Sequence, residues 1–293
     1  MKLFLIDAYS LIYRAYFAFI NAPRITSNGL NTSAVFGFVN TLEEVLRKEN
    51  PSHIAVAFDP PGPTFRHEAY GQYKAQRSRT PEDIHASIPI IKQLIAAYRI
   101  PSFEATGFEA DDVIGTLASQ AASQGFEVYM LTPDKDYAQL VSDRIFMYRP
   151  RFGGEYEVMD VPKVLEKFGV ERIDQIVDLL ALMGDKVDNI PGCPGVGEKT
   201  AVRLLSEFGS IDQLLTQTSR IKGVLRYRIQ QNSDEIRFSR LLVTIRTDVP
   251  VSFDPDLCRR QPADEVALRK LFTELEFHSF LDRFVKEPSK KKA

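Results

Sequence analysis

Apolar and polar positions follow two rhythms along this chain, and the change between them divides it. Residues 3–6, 54–58, 126–131 and 145–148 are short, nearly unbroken apolar or aromatic runs. Such runs mark strands covered on both faces. Segments 34–48, 81–99 and 110–124 lie among them with helical periodicity. Strands alternating with helices predict an α/β fold with a mainly parallel central sheet and flanking helices. The helix beginning at Pro81 has the clearest start: Thr80 can cap it, Pro81 suits its first turn, and Glu82 and Asp83 favour the positive end of its dipole.

From about residue 160 the strand rhythm fades. Segments 160–168, 172–183, 199–208, 211–217, 235–246 and 263–275 read as helices separated by Gly, Pro or Ser, with Gly169 a helix stop. The expected organisation is an α/β core over 1–169, a helical module over 170–285, and a polar, unstructured tail over 286–293. No internal repeat of 20–50 residues is visible, and the first apolar run is too short for a signal peptide or a membrane span.

Composition changes this picture little. The 293 residues are 44% hydrophobic and 26% charged, ordinary for a globular protein, and the net charge of -2 does not by itself point to nucleic acid. Cys193 and Cys258 lack CxxC spacing, so neither a zinc site nor a disulfide framework is indicated and a reducing cytoplasm is expected. The four histidines form no ligand spacing, and no hydroxyl sits in a nucleophile elbow.

Chemistry enters with the acids. Nine carboxylates come from five places: Asp7, Asp59, Glu109 with Asp111 and Asp112, Asp134 with Asp136, and Asp185 with Asp188. All but the last pair lie at or near the end of a predicted strand or the start of the helix that follows. In open α/β sheets ligands bind outside the carboxyl ends of the strands. Carboxylates gathered there repel one another unless a cation is present, and hard divalent ions prefer oxygen ligands. Taken singly, Asp7 could be a helix cap and Asp59 a turn former in Asp-Pro-Pro-Gly-Pro. Three acids within 109–112, however, exceed what a helix start needs.

Gly192–Thr200 superficially looks like a phosphate-binding P-loop, but Glu198 separates Gly197 from Lys199 and no strand precedes it. Pro-Gly-Val-Gly before a helix suits a helix–hairpin–helix, whose glycines admit a phosphate to backbone amides. A plain interhelical turn is the alternative. Segment 65–79 carries Arg66, Lys74, Arg77 and Arg79 among Phe65, Tyr70 and Tyr73, a mixture suited to single-stranded nucleic acid. A solvated basic loop would look the same. Arg14 follows Asp7, and Arg220 and Lys222 begin a second basic concentration.

Taken in order, these segments resemble the 5′-nuclease family, in the form that precedes bacterial DNA polymerases of type I. The residues carrying the resemblance are Leu5-Ile6-Asp7 with Tyr13-Arg14-Ala15, Ala57-Phe58-Asp59, Tyr73-Lys74-Ala75-Gln76-Arg77, Gly107–Asp112, Thr132–Asp136 and Gly184–Thr200, across residues 1–285. The resemblance implies a PIN-like nuclease core, a helical arch at about 64–85 and a C-terminal helix–hairpin–helix module. It places two Mg2+ (or Mn2+) ions on the nine acids, and K+ at the hairpin. Lys74, Arg77 and Arg14 would be catalytic cations. Arg66, Tyr73 and Arg79 would meet DNA from the arch, Gly192, Gly195, Gly197, Lys199 and Thr200 from the hairpin, and Arg220 and Lys222 from the helical module. The implied activity is structure-specific 5′→3′ exonuclease and flap endonuclease cleavage in RNA-primer removal and repair. The implied partner is DNA with a 5′ flap, nick or branch, or an RNA–DNA primer strand. The protein would be monomeric, cytoplasmic and nucleoid-associated, with a polymerase domain following. Read from the residues alone, an RNase-like relative or a non-catalytic branched-DNA binder remains open.

Overall fold

A computed structural model describes residues 1–151 and 154–286, with side chains to residue 283. The tail expected over 286–293 therefore lies almost wholly outside the described residues. In chain order the first part comprises β1 (Lys2–Asp7), α1 (Ala8–Ala18), α2 (Ser33–Lys48), β2 (His53–Ala57), α3 (Phe65–Ala69) and α4 (Glu82–Ala97). It continues with β3 (Ser102–Phe103), α5 (Ala110–Ser123), β4 (Glu127–Leu131), a 3-10 turn (Lys135–Leu140), β5 (Ile145–Pro150) and β6 (Tyr156–Met159). Helices follow: α6 (Val161–Phe168), α7 (Gln175–Met183), α8 (Glu198–Phe208), α9 (Ile211–Thr216), α10 (Gly223–Gln231), α11 (Ser233–Val243), α12 (Pro255–Cys258), α13 (Glu265–Glu274) and α14 (His278–Lys286).

The six strands form one sheet in the order β3-β2-β1-β4-β5-β6, parallel except at the β5–β6 hairpin. The expected mainly parallel sheet is thus observed. The chain winds outward from β1 to β3 on one side and from β4 to β6 on the other. The reversal between β1 and β4 opens a crevice at their carboxyl ends, where doubly wound folds bind ligands.

The apolar runs are continuous because both faces of the sheet are covered. Leu3 and Leu5 of β1, Ala55 and Ala57 of β2, and Val128 and Met130 of β4 join α5 and the helices α7–α11 in one core. Phe4, Ile6, Ile54 and Val56 face the other way, against α1, α2, α4, α13 and α14. The C-terminal helices therefore serve both cores: α6–α11 extend the first, while α13 and α14 return to the second. Phe272, Phe277 and Phe280 are buried there, with Phe36 5.3 Å from both Phe277 and Phe280.

Local expectations change in two respects. Helix α4 is capped at Pro81 with no side-chain bond, because the Thr80 hydroxyl pairs instead with the Tyr13 hydroxyl at 2.6 Å. Helices α1, α10 and α14 were not read from the sequence. In α1, the aromatic run Tyr13–Phe17 hides the helical period. Gly169 does end α6, at φ 66°.

If α14 anchors the second core, Phe280→Ala should cost about 3–5 kcal/mol, the usual range for removing a buried phenyl. Urea unfolding of the variant checks this. A midpoint like that of the unsubstituted protein would show that α14 contributes little to the fold.

Candidate metal centre

The acids at the crevice are positioned by strand ends and helix starts. Asp7 ends β1 and caps α1, accepting from Ser10 N at 3.1 Å and Ser10 Oγ at 2.5 Å. Thr132, just beyond β4, donates to Asp7 Oδ2 at 3.0 Å. Asp59, just past β2, accepts the Ala110 amide at 2.7 Å, which ties it to the start of α5. Asp134 caps the 3-10 turn, accepting from Asp136 N at 3.0 Å. The fully buried Tyr137 hydroxyl donates to Asp111 at 2.9 Å and lies 3.4 Å from Asp7, so it joins β1 to α5 across the crevice.

Asp7, Asp59, Asp111 and Asp136 hold their protons unusually well. Burial, with the charges of Asp59 and Asp134 adding to it, pushes Asp7 up to about 6 despite the Ser10 bonds that oppose the shift. Burial also raises Asp111 well above the ordinary carboxylate range, reinforced by Asp134, Asp7 and Glu109. Asp59 is raised by burial, and Asp136 reaches about 6 through burial and the neighbouring Asp134. Two acids behave oppositely because a cation sits on each. Burial alone would raise Glu109, but Lys74 Nζ at 2.5 Å and Arg66 hold it low. Likewise Lys135 Nζ at 2.7 Å outweighs burial at Asp185.

Asp185 and Asp188 arrive on the loop between α7 and α8. The Asp185 and Ile190 backbones exchange two hydrogen bonds, 2.9 and 2.7 Å, and the loop closes where Gly184 and Gly192 cross. A Cβ on Gly192 would stand 2.4 Å from Gly184 N, so glycine is required there. This corrects the expectation for Gly192. It is buried and its amide donates to Ser239 Oγ at 3.0 Å, which leaves nothing to offer a phosphate.

Four further expectations are corrected by burial and bonding. Asp112 is fully buried and accepts four donors: both Arg66 Nη atoms at 2.7 and 2.9 Å, Glu109 N at 3.1 Å and Arg246 N at 2.8 Å. It has no free face for a cation. Arg66, 2% exposed, also donates to Glu109 and to the Leu242 and Thr244 carbonyls, so it fastens α3 to α5 and to the end of α11 rather than meeting DNA. Tyr73 is 5% exposed with its hydroxyl on Glu109 at 3.0 Å, which hides its ring from any base. Arg14 donates to the carbonyls of Pro150 and Arg151 at 3.2 and 2.7 Å instead of approaching the acids.

Other predicted residues remain in the open. Arg79, Lys199 and Lys222 are exposed and form no ion pair among the described residues. Arg77 lies on Asp188, while Arg220 lies over the Phe208 ring and within 3.5 Å of Glu207. Gly195 and Gly197 are exposed, and Gly197 starts α8 with no side-chain cap. Thr200, half-buried, donates its amide to the Gly197 carbonyl. Gly197 has ordinary φ of −99°, and a Cβ there would meet nothing within 4 Å. The fold itself does not require that glycine.

Eight acids thus remain for cations. Among the described residues no three of these acids form a cluster ready to hold a metal ion: Lys135 lies between Asp136 and Asp185, Tyr137 between Asp7 and Asp111, and Lys74 and Arg77 sit on Glu109 and Asp188. The donors nevertheless fit hard divalent ions: all are carboxylate oxygens, four are held protonation-prone by burial with neighbouring acids adding to it, and Asp136 Oδ1 is buried without a hydrogen bond although Lys135 Nζ lies 3.2 Å away. The acids line an open crevice. None lines the cavity of about 290 Å3 between Pro23–Thr26 and Leu275–Phe277.

Acids at the switch point of a resolvase-like sheet, joined to a helical SAM-like module, define a class of nucleases. A model of the 5′-3′ exonuclease N-terminal resolvase-like domain matches residues 2–169, and one of the 5′-3′ exonuclease C-terminal SAM fold matches residues 172–266. The chain belongs to the 5′-3′ exonuclease family. It is 43% identical over 285 residues to DNA polymerase I of Bacillus caldotenax, covering 96% of this chain and 32% of that protein. It is also 43% identical over 291 residues to DNA polymerase I of Chloroflexus aurantiacus, covering 98% and 31% respectively. The chain therefore spans about a third of the length of these relatives. Its fold is similar to T5 5′-exonuclease with bound divalent zinc (TM-score 0.72, 20% identity, 94% of this chain and 99% of that one). It is also similar to the catalytic core of Rad2 in complex with a DNA substrate (TM-score 0.64, 17% identity, 94% and 86%).

The raised acids predict a pH signature. A carboxyl near 6 in the folded chain and 3.8 unfolded binds its proton more tightly when folded, so stability falls as pH rises from about 4 to 6. Asp7→Asn removes this penalty. In chelator, its melting temperature relative to the unsubstituted protein should rise by roughly 2–4 °C or more between pH 4 and pH 7. A constant difference across that range would show that Asp7 titrates normally.

Proposed function

We propose that this chain hydrolyses DNA phosphodiesters at or near 5′ ends of flapped, nicked or branched DNA, with two Mg2+ or Mn2+ ions held by Asp7, Asp59, Glu109, Asp111, Asp134, Asp136, Asp185 and Asp188. The observation that carries this reading is the mutual repulsion of Asp7, Asp59, Asp111 and Asp134 at the β1–β4 crevice, directly beside the basic segment 74–79. When bound, such ions supply the positive charge that activates water and stabilises a leaving oxygen.

The protein's own groups do the rest. Lys74 and Arg77 bring cationic charge to the acids, where a phosphodiester gains negative charge during cleavage. The uncapped start of α8 offers backbone amides and a positive dipole end to a duplex phosphate, and exposed Gly195 and Gly197 let the strand approach. Lys199, Lys222, Arg79 and Arg220 add sequence-independent attraction. Gripping backbone without reading bases explains selection of structure over sequence. K+ at the hairpin, removal of RNA primers, a role in repair, and a following polymerase domain all belong to this reading. Similarity to DNA polymerase I over about a third of its length supports the last of these.

A 5′-labelled flap substrate with and without Mg2+, scored for product length, tests the proposal. Asp111→Asn should lower cleavage more than about 100-fold, beyond the usual cost of disturbing a supporting shell, with flap binding retained. Cleavage near the unsubstituted rate would remove the acids from the chemistry. The hairpin has its own test. Gly197→Val should weaken duplex binding about five- to tenfold, the loss of one or two hydrogen bonds, with an unchanged melting temperature because its Cβ has open space. Lost stability with unaltered duplex affinity would instead make it a structural turn.

A further inference from the structure

The basic segment and the far acids are already joined. Arg77 Nε donates to Asp188 Oδ1 at 2.9 Å, and Arg77 Nη2 reaches the same oxygen. Lys74 N donates to the Asp188 carbonyl at 3.0 Å, Gln76 Nε2 to Asn189 Oδ1 at 3.1 Å, and Asn189 Nδ2 to the Gln72 carbonyl at 2.8 Å. The two backbones meet through residues in left-handed conformation, Lys74 at φ 56° and Asn189 at φ 58°. Asparagine takes this conformation readily, but lysine rarely does, and at Lys74 it persists where surrounding bonds impose it. On the other side, Lys135 Nζ bridges Asp136 at 3.2 Å and Asp185 at 2.7 Å. Every acid of the far set therefore carries an internal cation.

We infer that Lys135 and Arg77 are resident counter-cations of the far acid set, which a divalent ion displaces on binding. Displacement of Arg77 also removes one of the bonds that hold segment 72–77 to residues 188–189, so metal loading and loosening of that segment are one coupled equilibrium. This rests on the proposed metal role of Asp136, Asp185 and Asp188. A divalent ion on Asp188, or between Asp136 and Asp185, would lie close to the Arg77 guanidinium or the Lys135 ammonium, and like charges that close repel strongly. Once Arg77 leaves, only the Lys74, Gln76 and Asn189 bonds tie the two backbones, and the left-handed Lys74 can relax. The freed Arg77 then becomes available to a phosphate. The coupling is reciprocal: whatever engages Arg77 also favours the ion.

Two measurements on the intact chain without DNA test this. Mg2+ affinity is read by calorimetry, and hydrogen exchange of a peptide covering residues 70–80 is followed by mass spectrometry. Both Arg77→Gln and Lys135→Met should tighten the weaker Mg2+ site at least about fivefold, the lower end of ordinary coupling. In the unsubstituted protein and in Lys135→Met, Mg2+ should accelerate exchange in 70–80. In Arg77→Gln, exchange should be fast already and insensitive to Mg2+. Unchanged affinity in both variants, or exchange that Mg2+ leaves unaltered or slows in the unsubstituted protein, overturns the inference while leaving the metal centre in place. Failure of all three proteins to bind Mg2+ overturns the proposed function as well.

Discussion

Repulsion among carboxylates that the fold has withdrawn from water is the constraint on which the rest of this structure depends. Parallel strands covered on both faces leave their carboxyl ends as the place where the chain can offer polar groups, and the reversal between β1 and β4 opens a gap there. Asp7 and Asp134 flank that gap, with Asp59 and Asp111 brought in by the end of β2 and the start of α5. Held this way, the acids retain protons or attract cations. The surrounding chain answers with hydroxyls from Ser10, Thr132 and Tyr137 and with the ammonium groups of Lys74 and Lys135.

The same region shows how the two parts of the chain act together. Residues 242–246, the end of α11 and the chain just after it, are clasped by Arg66 at the Leu242 and Thr244 carbonyls and by Asp112 at the Arg246 amide. Gln139, on the turn that carries Asp134 and Asp136, adds bonds to Val243 and Ile245 of 3.0 and 2.9 Å. The helical module is thereby fixed to both acid-bearing segments as well as sharing their apolar core. Under the proposed function, a duplex held at α8 would stand in a set relation to the acids.

Much of this was legible in the chain. Continuous apolar runs reported strands buried on both faces, and acids at their ends reported the crevice, because both follow from local spacing. The orientation of neighbours did not. Asp111 and Asp112 are adjacent, yet one meets Tyr137 at the crevice and the other is sealed against Arg66 by backbone groups more than a hundred residues away. Arg66 and Lys74 look equivalent as basic residues in one segment, and only tertiary packing buries the first beneath residues 242–244. Gly192 and Gly197 also read alike. The first is a backbone crossing, whereas the second has room for a side chain. Tyr137 and Lys135 were missed as functional residues because a hydroxyl and an ammonium near acids carry no distinctive spacing.

The central claim, that the crevice is a store of charge repulsion relieved by divalent cations, is tested most directly by thermal unfolding against Mg2+ concentration. Near neutral pH the melting temperature of the unsubstituted protein should rise steadily with the logarithm of Mg2+ once the ion exceeds its dissociation constant. Asp134→Asn should start higher without the ion and climb less. A melting temperature indifferent to Mg2+ in the unsubstituted protein, or an Asp134→Asn variant that starts lower, would contradict the account.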